Sequence, residues 1–204
     1  MQASFMNTNQ YLNSCHSGLI APFGGHLVNL MAAHEHKNEL KGSTLKSLEC
    51  SDRNACDIEL LLVGGFSPLK GFMLEEDYDS VVKNNRTSSG LLFGLPIILD
   101  TDREDLVPGD RILLNYKGQN LGVLDIEEKW EPNKVIEAKY CYGTTSLEHP
   151  AVWMIATERK KFYLGGKIHG LELPNRIFPC KTPEEVRADL PLGKDVVAFQ
   201  CRNP

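Results

Sequence analysis

The sequence predicts an α+β fold: a small, mostly antiparallel sheet or barrel, followed near its carboxyl end by the opening of an α/β unit. Three observations predict it. Short apolar runs punctuated by turn residues fill 95–126 and 162–173. Capped, amphipathic stretches at Asp52–Val63 and Glu75–Asn84 read as helices that precede them. After position 182 a helix start is followed by a continuous apolar run, the pattern of a strand buried on both faces of a parallel sheet.

Taken in order, Met1–Ser14 is polar and rich in Asn and Gln, so residues 1–18 are expected to be a flexible terminus, with ordered chain from about Leu19. Gly24-Gly25 after Pro22 marks a tight turn that needs unusual dihedrals. His26 beside it is expected to be a partly buried, hydrogen-bonded side chain rather than a ligand. Ser51 or Asp52 caps the first helix and Gly64-Gly65 closes it. Phe66–Met73 reads as a loop dense in apolar side chains. The helix from about Glu75 to Asn84 carries acidic residues in its first turn, where the helix dipole favours them.

Leu95–Leu99 then opens a strand-rich middle. Pro108-Gly109-Asp110 is a turn, and Ile112–Tyr116 and Leu121–Ile126 form a hairpin around Lys117-Gly118-Gln119-Asn120. A helix is expected from Pro132 to near Gly143, another apolar segment from His149-Pro150 to Ile155, and a bent strand or hairpin over Phe162–Leu173 around Gly165-Gly166. Thr182-Pro183-Glu184-Glu185 is a capping box with proline at the first helical position. That helix is expected to reach about Leu190, ahead of a buried strand at Asp195–Gln200. A single buried strand cannot pair both its edges, so the chain reads as a truncated product.

Composition bounds the function. Of 204 residues, 42 % are hydrophobic and 24 % charged, the balance of a globular protein with a sizeable core. A net charge of −5 argues against a nucleic-acid partner, whose phosphates need a basic face, and Arg159-Lys160-Lys161 reads as a solvated run. Any bound anion must therefore be held by a few placed groups. The six cysteines form no C-x-x-C pair and have no zinc-like spacing with His, so no metal ligands are assigned and the thiols are expected to be reduced and structural. No stretch approaches the roughly 18 apolar residues of a membrane span. The first 36 residues hold no Lys or Arg, unlike secretory or transit segments. The expected location is cytoplasmic, with an organelle left open because Met1 need not be the natural start.

The chemistry concentrates at Gln200-Cys201-Arg202-Asn203-Pro204, just past the carboxyl end of the expected parallel strand, where open α/β sheets place ligands. Arg202 offers a planar fork of donors that matches a tetrahedral oxyanion, and Gln200 and Asn203 add neutral donors. Five residues alone are equally a surface loop.

Val197-Ala198-Phe199-Gln200-Cys201-Arg202-Asn203-Pro204 resembles the Val-Ala-Phe-Gln-Thr-Arg-Asn-Pro signature of ATP sulfurylases (sulfate adenylyltransferases). Further blocks resemble that family in order, among them Pro22–Leu30, Gly64–Leu69 with Gly71-Phe72-Met73, Tyr142-Gly143-Thr144 with His149-Pro150, and Thr182–Arg187. The resemblance covers Leu19 to Pro204. It implies a PUA-like domain with a β-barrel core over 19–175, and over 176–204 the truncated start of a catalytic nucleotidylyltransferase domain of α/β, Rossmann-like topology.

The implied reaction joins sulfate to ATP, giving adenosine 5′-phosphosulfate and pyrophosphate, with Mg2+ accompanying ATP at a site this chain does not contain. The catalytic positions it implies are Cys201, Arg202 and Asn203. Gln200, Arg202 and Asn203 would bind sulfate and ATP, with Asn203 orienting the α-phosphate. Cys201 stands where the family pattern has Thr. A packing or backbone-donor role is expected for it rather than a nucleophilic one, because the transfer needs no covalent intermediate. The pattern's following histidine pair lies beyond Pro204, so the chain alone is expected to be inactive. The family also implies a homo-oligomer. The alternative is a free-standing PUA-like module that binds RNA, against which the acidic charge counts, or that serves assembly, a role compatible with the enzymatic reading.

Overall fold

The computed structural model describes residues 19–40 and 45–199. Among them the helices are α1 (Lys37–Leu40), α2 (Asp52–Val63), α3 (Glu75–Asn84), α4 (Lys134–Tyr142), α5 (Pro150–Thr157) and α6 (Pro183–Asp189). The strands are β1 (Lys46–Glu49), β2 (Gly71–Phe72), β3 (Leu99–Thr101), β4 (Arg111–Tyr116), β5 (Gln119–Trp130) and β6 (Phe162–Gly170).

The helix ends follow their capping chemistry. Ser51, not Asp52, caps α2: its Oγ accepts from Asn54 N at 3.1 Å while Asn54 Oδ1 accepts from Ser51 N at 3.2 Å. Gly64 ends it at φ 85. At α3 no N-cap side chain serves. Instead Glu128 of β5 reaches across to accept from Glu75 N at 2.7 Å, placing a carboxylate on the positive end of the dipole. Asn133 rather than Pro132 sets the start of α4, its Oδ1 accepting from Ile136 N at 3.0 Å.

The strands form one sheet in the order β1-β4-β5-β6-β2, with β3 also on β6. Of these strand pairs only β1 and β4 run parallel; the others are antiparallel. The β4–β5 turn is tighter than its composition suggests. Tyr116 pairs with Gln119, so Lys117 and Gly118 alone make the turn, both at positive φ (49 and 82), as a type I′ turn requires. β6 is a single strand, not a hairpin. Its partner β5 shifts register between Ile126 and Glu128, opposite Gly165-Gly166, and the pair bends there. Gly166 (φ 152) packs so closely on β5 that a Cβ would lie 2.0 Å from Asp125 O. Gly24, at φ 73, likewise leaves no room for a Cβ against Pro68, which confirms a turn only glycine can make.

Three expectations give way here. The strand ladder is an open path with edges at β1 and β2, so the barrel is not closed by backbone pairing among the described residues. At β1 the Arg103 side chain takes a backbone carbonyl instead, Nη1 donating to Ser47 O at 2.5 Å, while Lys46 of the strand itself reaches out to donate to Asp105 O at 2.6 Å. Asp195–Phe199 forms no strand and lies exposed, Val197 at 93 % and Phe199 at 89 %. A β-branched run becomes a buried strand only when a sheet offers it a ladder, and none of the described strands pairs with it. His26 is exposed rather than partly buried, because the Gly24-Gly25 turn carries it outward.

The main core lies between α2 and the sheet. Ile58, Leu61 and Leu62 of α2 pack with Leu114, Leu124, Leu164 and Ile168, all at most 2 % exposed. Each such side chain contributes roughly 1.5–3 kcal/mol on burial. A smaller aromatic cluster stands behind α3, where Tyr78, Trp130 and Tyr163 meet with ring centroids 5.6–6.0 Å apart. Two of the three pairs are edge-to-face, the arrangement the ring quadrupole favours.

Candidate functional site

Gln200, Cys201, Arg202 and Asn203 lie outside the described residues. What is described is the segment that leads to them. The capping box of α6 forms as its residues dictate: Thr182 Oγ1 accepts from Glu185 N at 3.2 Å, and Glu185 Oε2 accepts from Thr182 N at 2.7 Å. Two contacts tie α6 to the 20–29 segment. Arg187 Nη2 donates to Ile20 O at 2.7 Å, and Asn29 Nδ2 donates to Glu184 Oε2 at 3.3 Å. Upstream, Arg176 pairs with Glu59 of α2. Between α6 and the body lies a groove of about 520 Å³ walled by Phe23, Leu27, Phe66, Phe93, Pro183 and Val186, with Arg187 at its lining. The α6 segment is thus docked by polar clasps on an apolar groove, and Leu192, Val196, Val197 and Phe199 beyond it stay exposed.

A second concentration of polar groups is built into the body. Asp100 of β3, 7 % exposed, accepts from Arg159 Nη1 (3.2 Å), Lys160 N (2.9 Å) and Asn54 Nδ2 (3.3 Å). Glu137 of α4, 4 % exposed, accepts from the hydroxyls of Tyr78 and Tyr163, both 2.9 Å from Oε2. Burial pushes the Glu137 carboxyl above its usual range, opposed by the two tyrosine hydrogen bonds and by the charge of Arg159. Burial, with Glu137 as neighbour, pushes both tyrosine hydroxyls far up, so they stay protonated and donate to the carboxylate. Asp57 on α2 is also raised by burial.

The basic run at 159–161 therefore divides. Lys161 is exposed, as a solvated run implies, but the Arg159 side chain is only 11 % exposed and paired. Its burial follows from Asp100, which sits 59 positions earlier, and no local spacing announces that. Among the described residues no three His, Cys, Asp or Glu side chains are grouped to hold a metal ion, and no helix is long and apolar enough to cross a membrane.

Comparison with known proteins adds the following. A sequence model of the family described as a PUA-like domain matches residues 20–173. The sulfate adenylyltransferase of Chaetomium globosum is 44 % identical over 202 residues, covering 90 % of this chain and 35 % of that protein. That of Neurospora crassa is 41 % identical over 198 residues, covering 90 % and 34 %. The chain thus spans about a third of the length of these curated relatives. Among solved structures, a hexameric APS kinase from Thiobacillus denitrificans superposes with a TM-score of 0.64 at 27 % identity, over 83 % of this chain and 31 % of that one.

Proposed function

The chain belongs to the PUA-like domain family, and on that premise we propose that it is the amino-terminal part of a sulfate adenylyltransferase, ending in the first motif of its catalytic domain. The observation that carries this reading is the 44 % identity to a protein of that name across 202 residues. The order of the matching blocks and the terminal Val197–Pro204 signature support it.

In this reading residues 19–175 are the PUA-like domain and 176–204 open a Rossmann-like nucleotidylyltransferase domain. A sulfate oxygen attacks the α-phosphorus of ATP, a new P–O bond forms, and the bond to the β-phosphate oxygen breaks to release pyrophosphate. Magnesium enters as the metal–ATP substrate. Arg202 and Gln200 hold sulfate, Arg202 also approaches the nucleotide phosphates, and Asn203 orients the α-phosphate. Cys201 contributes its backbone N–H or packing, because the reaction needs no covalent nucleophile. Catalysis is then positioning plus charge stabilisation. The body's part is mechanical: the clasps of Arg187 on Ile20 O and of Asn29 on Glu184 hold α6, and α6 aims the motif. Assembly into a homo-oligomer belongs to the same reading, supported by the hexameric relative.

The test is pyrophosphate release dependent on both ATP and sulfate. A protein extended to the length of the curated relatives shows it, and Arg202→Ala lowers kcat by about 100-fold or more, the usual loss when a transition-state donor is removed. The 204-residue chain alone shows none. Full activity in the extended Arg202→Ala protein would overturn the reading.

A further inference from the structure

Two adjoining cavities open beside the Asp100–Arg159 pair, and their linings share Arg53, Met154 and Arg159. The inner one, about 390 Å³, has walls of Phe66, Phe93, Pro96 and Tyr142 and polar lining from Asp57 and Glu137. The outer one, about 410 Å³, lies at the first turn of α2, with Ser51, Arg53 and Asn54 on one side and Lys160 on the other.

Their polar groups are left incomplete by the fold. Both tyrosines bind Glu137 through Oε2, and Oε1 takes no hydrogen bond among the described residues. The same holds for the Asp57 carboxylate. Arg159 uses Nη1 on Asp100, yet its buried Nε has no partner among the described residues. Of these groups Arg159 Nε is the one fully buried, and a buried donor left without a partner costs about 1–3 kcal/mol, which a ligand acceptor would recover. At the outer cavity Arg53 and Lys160 form no ion pair among the described residues. Asp100 is saturated by three donors and Asp52 is paired with Lys117 at 2.9 Å, which leaves Glu158 as the one anion there without a partner among the described residues.

The complement of these surfaces is a flat ring whose edge both donates and accepts, joined to an anionic group. The ring donates to Asp57 and Glu137, accepts from Arg159 Nε and packs on Phe93 and Tyr142. The anion meets Arg53, Lys160 and the positive end of α2. Purine bases carry that mixed edge, amino or ring N–H donors next to N7 or O6 acceptors. We infer that this double cavity is a binding site for a purine nucleoside monophosphate, separate from the sulfate and ATP motif at Gln200–Asn203.

The experiment titrates the 204-residue chain with GMP and AMP, followed by amide chemical shifts and calorimetry. Saturable binding is expected, with shifts in α2 and at 93–97 and 158–160. Guanosine, lacking the phosphate, binds at least ~10-fold more weakly, as befits loss of a charge-assisted contact. Arg53→Ala combined with Lys160→Ala alters exposed or half-buried side chains only, so the fold survives, and it weakens GMP by a similar factor. Asp57→Asn weakens the base contact without touching the phosphate. Arg202→Ala leaves binding unchanged, which separates this site from the proposed catalytic motif. Absence of saturable binding up to about 1 mM, the threshold of weak specific affinity, overturns the inference. So does binding that Arg202→Ala abolishes and the Arg53/Lys160 variant spares.

Discussion

Removing the Asp100 carboxylate should destabilise the chain more than any exposed change. Asp100→Ala leaves the Arg159 guanidinium, 11 % exposed, without the only carboxylate within ion-pair reach among the described residues. It also strips the acceptor from Lys160 N (2.9 Å) and Asn54 Nδ2 (3.3 Å). Breaking a buried pair from one side costs about 3–5 kcal/mol, because the remaining charge stays buried and unpaired. Against a total stability of roughly 5–15 kcal/mol that is a large share. In urea, with a slope near ~2 kcal/mol per molar, the unfolding midpoint falls by roughly 1.5–2.5 M. Trp130 and Trp153 report the transition by fluorescence. The mechanism makes a sharper prediction still. Asp100→Ala with Arg159→Met removes the orphaned charge and recovers most of the loss, a coupling that a double-mutant cycle reads directly. A loss under about 1 kcal/mol for Asp100→Ala, or a double variant as unstable as the two single losses added, refutes the argument that burial of the arginine sets the cost.

Two other outcomes follow from burial. Because burial raises the folded-state carboxyl of Glu137, its contribution to stability is full below the ordinary carboxylate range and is lost as pH rises through the raised value, at about 1.4 kcal/mol for each tenfold difference in proton affinity between the folded and unfolded chain. Glu137→Gln should remove that slope, so the urea midpoints of the two proteins converge or cross on going from acid to neutral pH; a constant difference between them would count against a buried carboxyl at 137. Cys50 is buried and its thiol pushed up to about 12, so roughly one molecule in ten thousand is thiolate at pH 8. Peptide mapping after Ellman's reagent should find Cys56 and Cys180, both exposed, modified in the native chain, and Cys50 only at the rate of unfolding; prompt labelling of Cys50 would contradict the packing of β1 on the core.

What could be read from the chain was local. Ser51 with Asn54 and Thr182 with Glu185 are capping signals three residues apart, and both helices begin where those signals stand. Lys117-Gly118 and Gly24-Gly25 mark turns because positive φ is cheap for glycine, and the chain turns there. The reading failed where the deciding contact lies far off in sequence. The run at Asp195–Phe199 has the composition of a buried strand, but composition supplies only one side of a ladder. Arg159 belongs to a basic run by sequence and to Asp100 by fold.

The same distinction explains why the two candidate sites differ in legibility. The proposed sulfate motif is one contiguous segment, so its chemistry can be read from five neighbouring residues. The double cavity is assembled from α2, α4, α5 and the 93–97 stretch, with no two of its polar groups at a spacing that names a ligand. Its indication is energetic: Arg159 Nε is buried without a partner among the described residues, and Asp57 and Glu137 Oε1, which accept no hydrogen bond there, line the same cavity. The neighbouring Asp100, in the same surroundings, has three donors, so the fold is able to satisfy a buried carboxylate here. Among the described residues Trp130 Nε1 and His149 Nδ1 are also buried without a partner but line neither cavity, so it is the place of Arg159 Nε at a cavity wall, next to a saturated Asp100, that makes the cavity worth titrating.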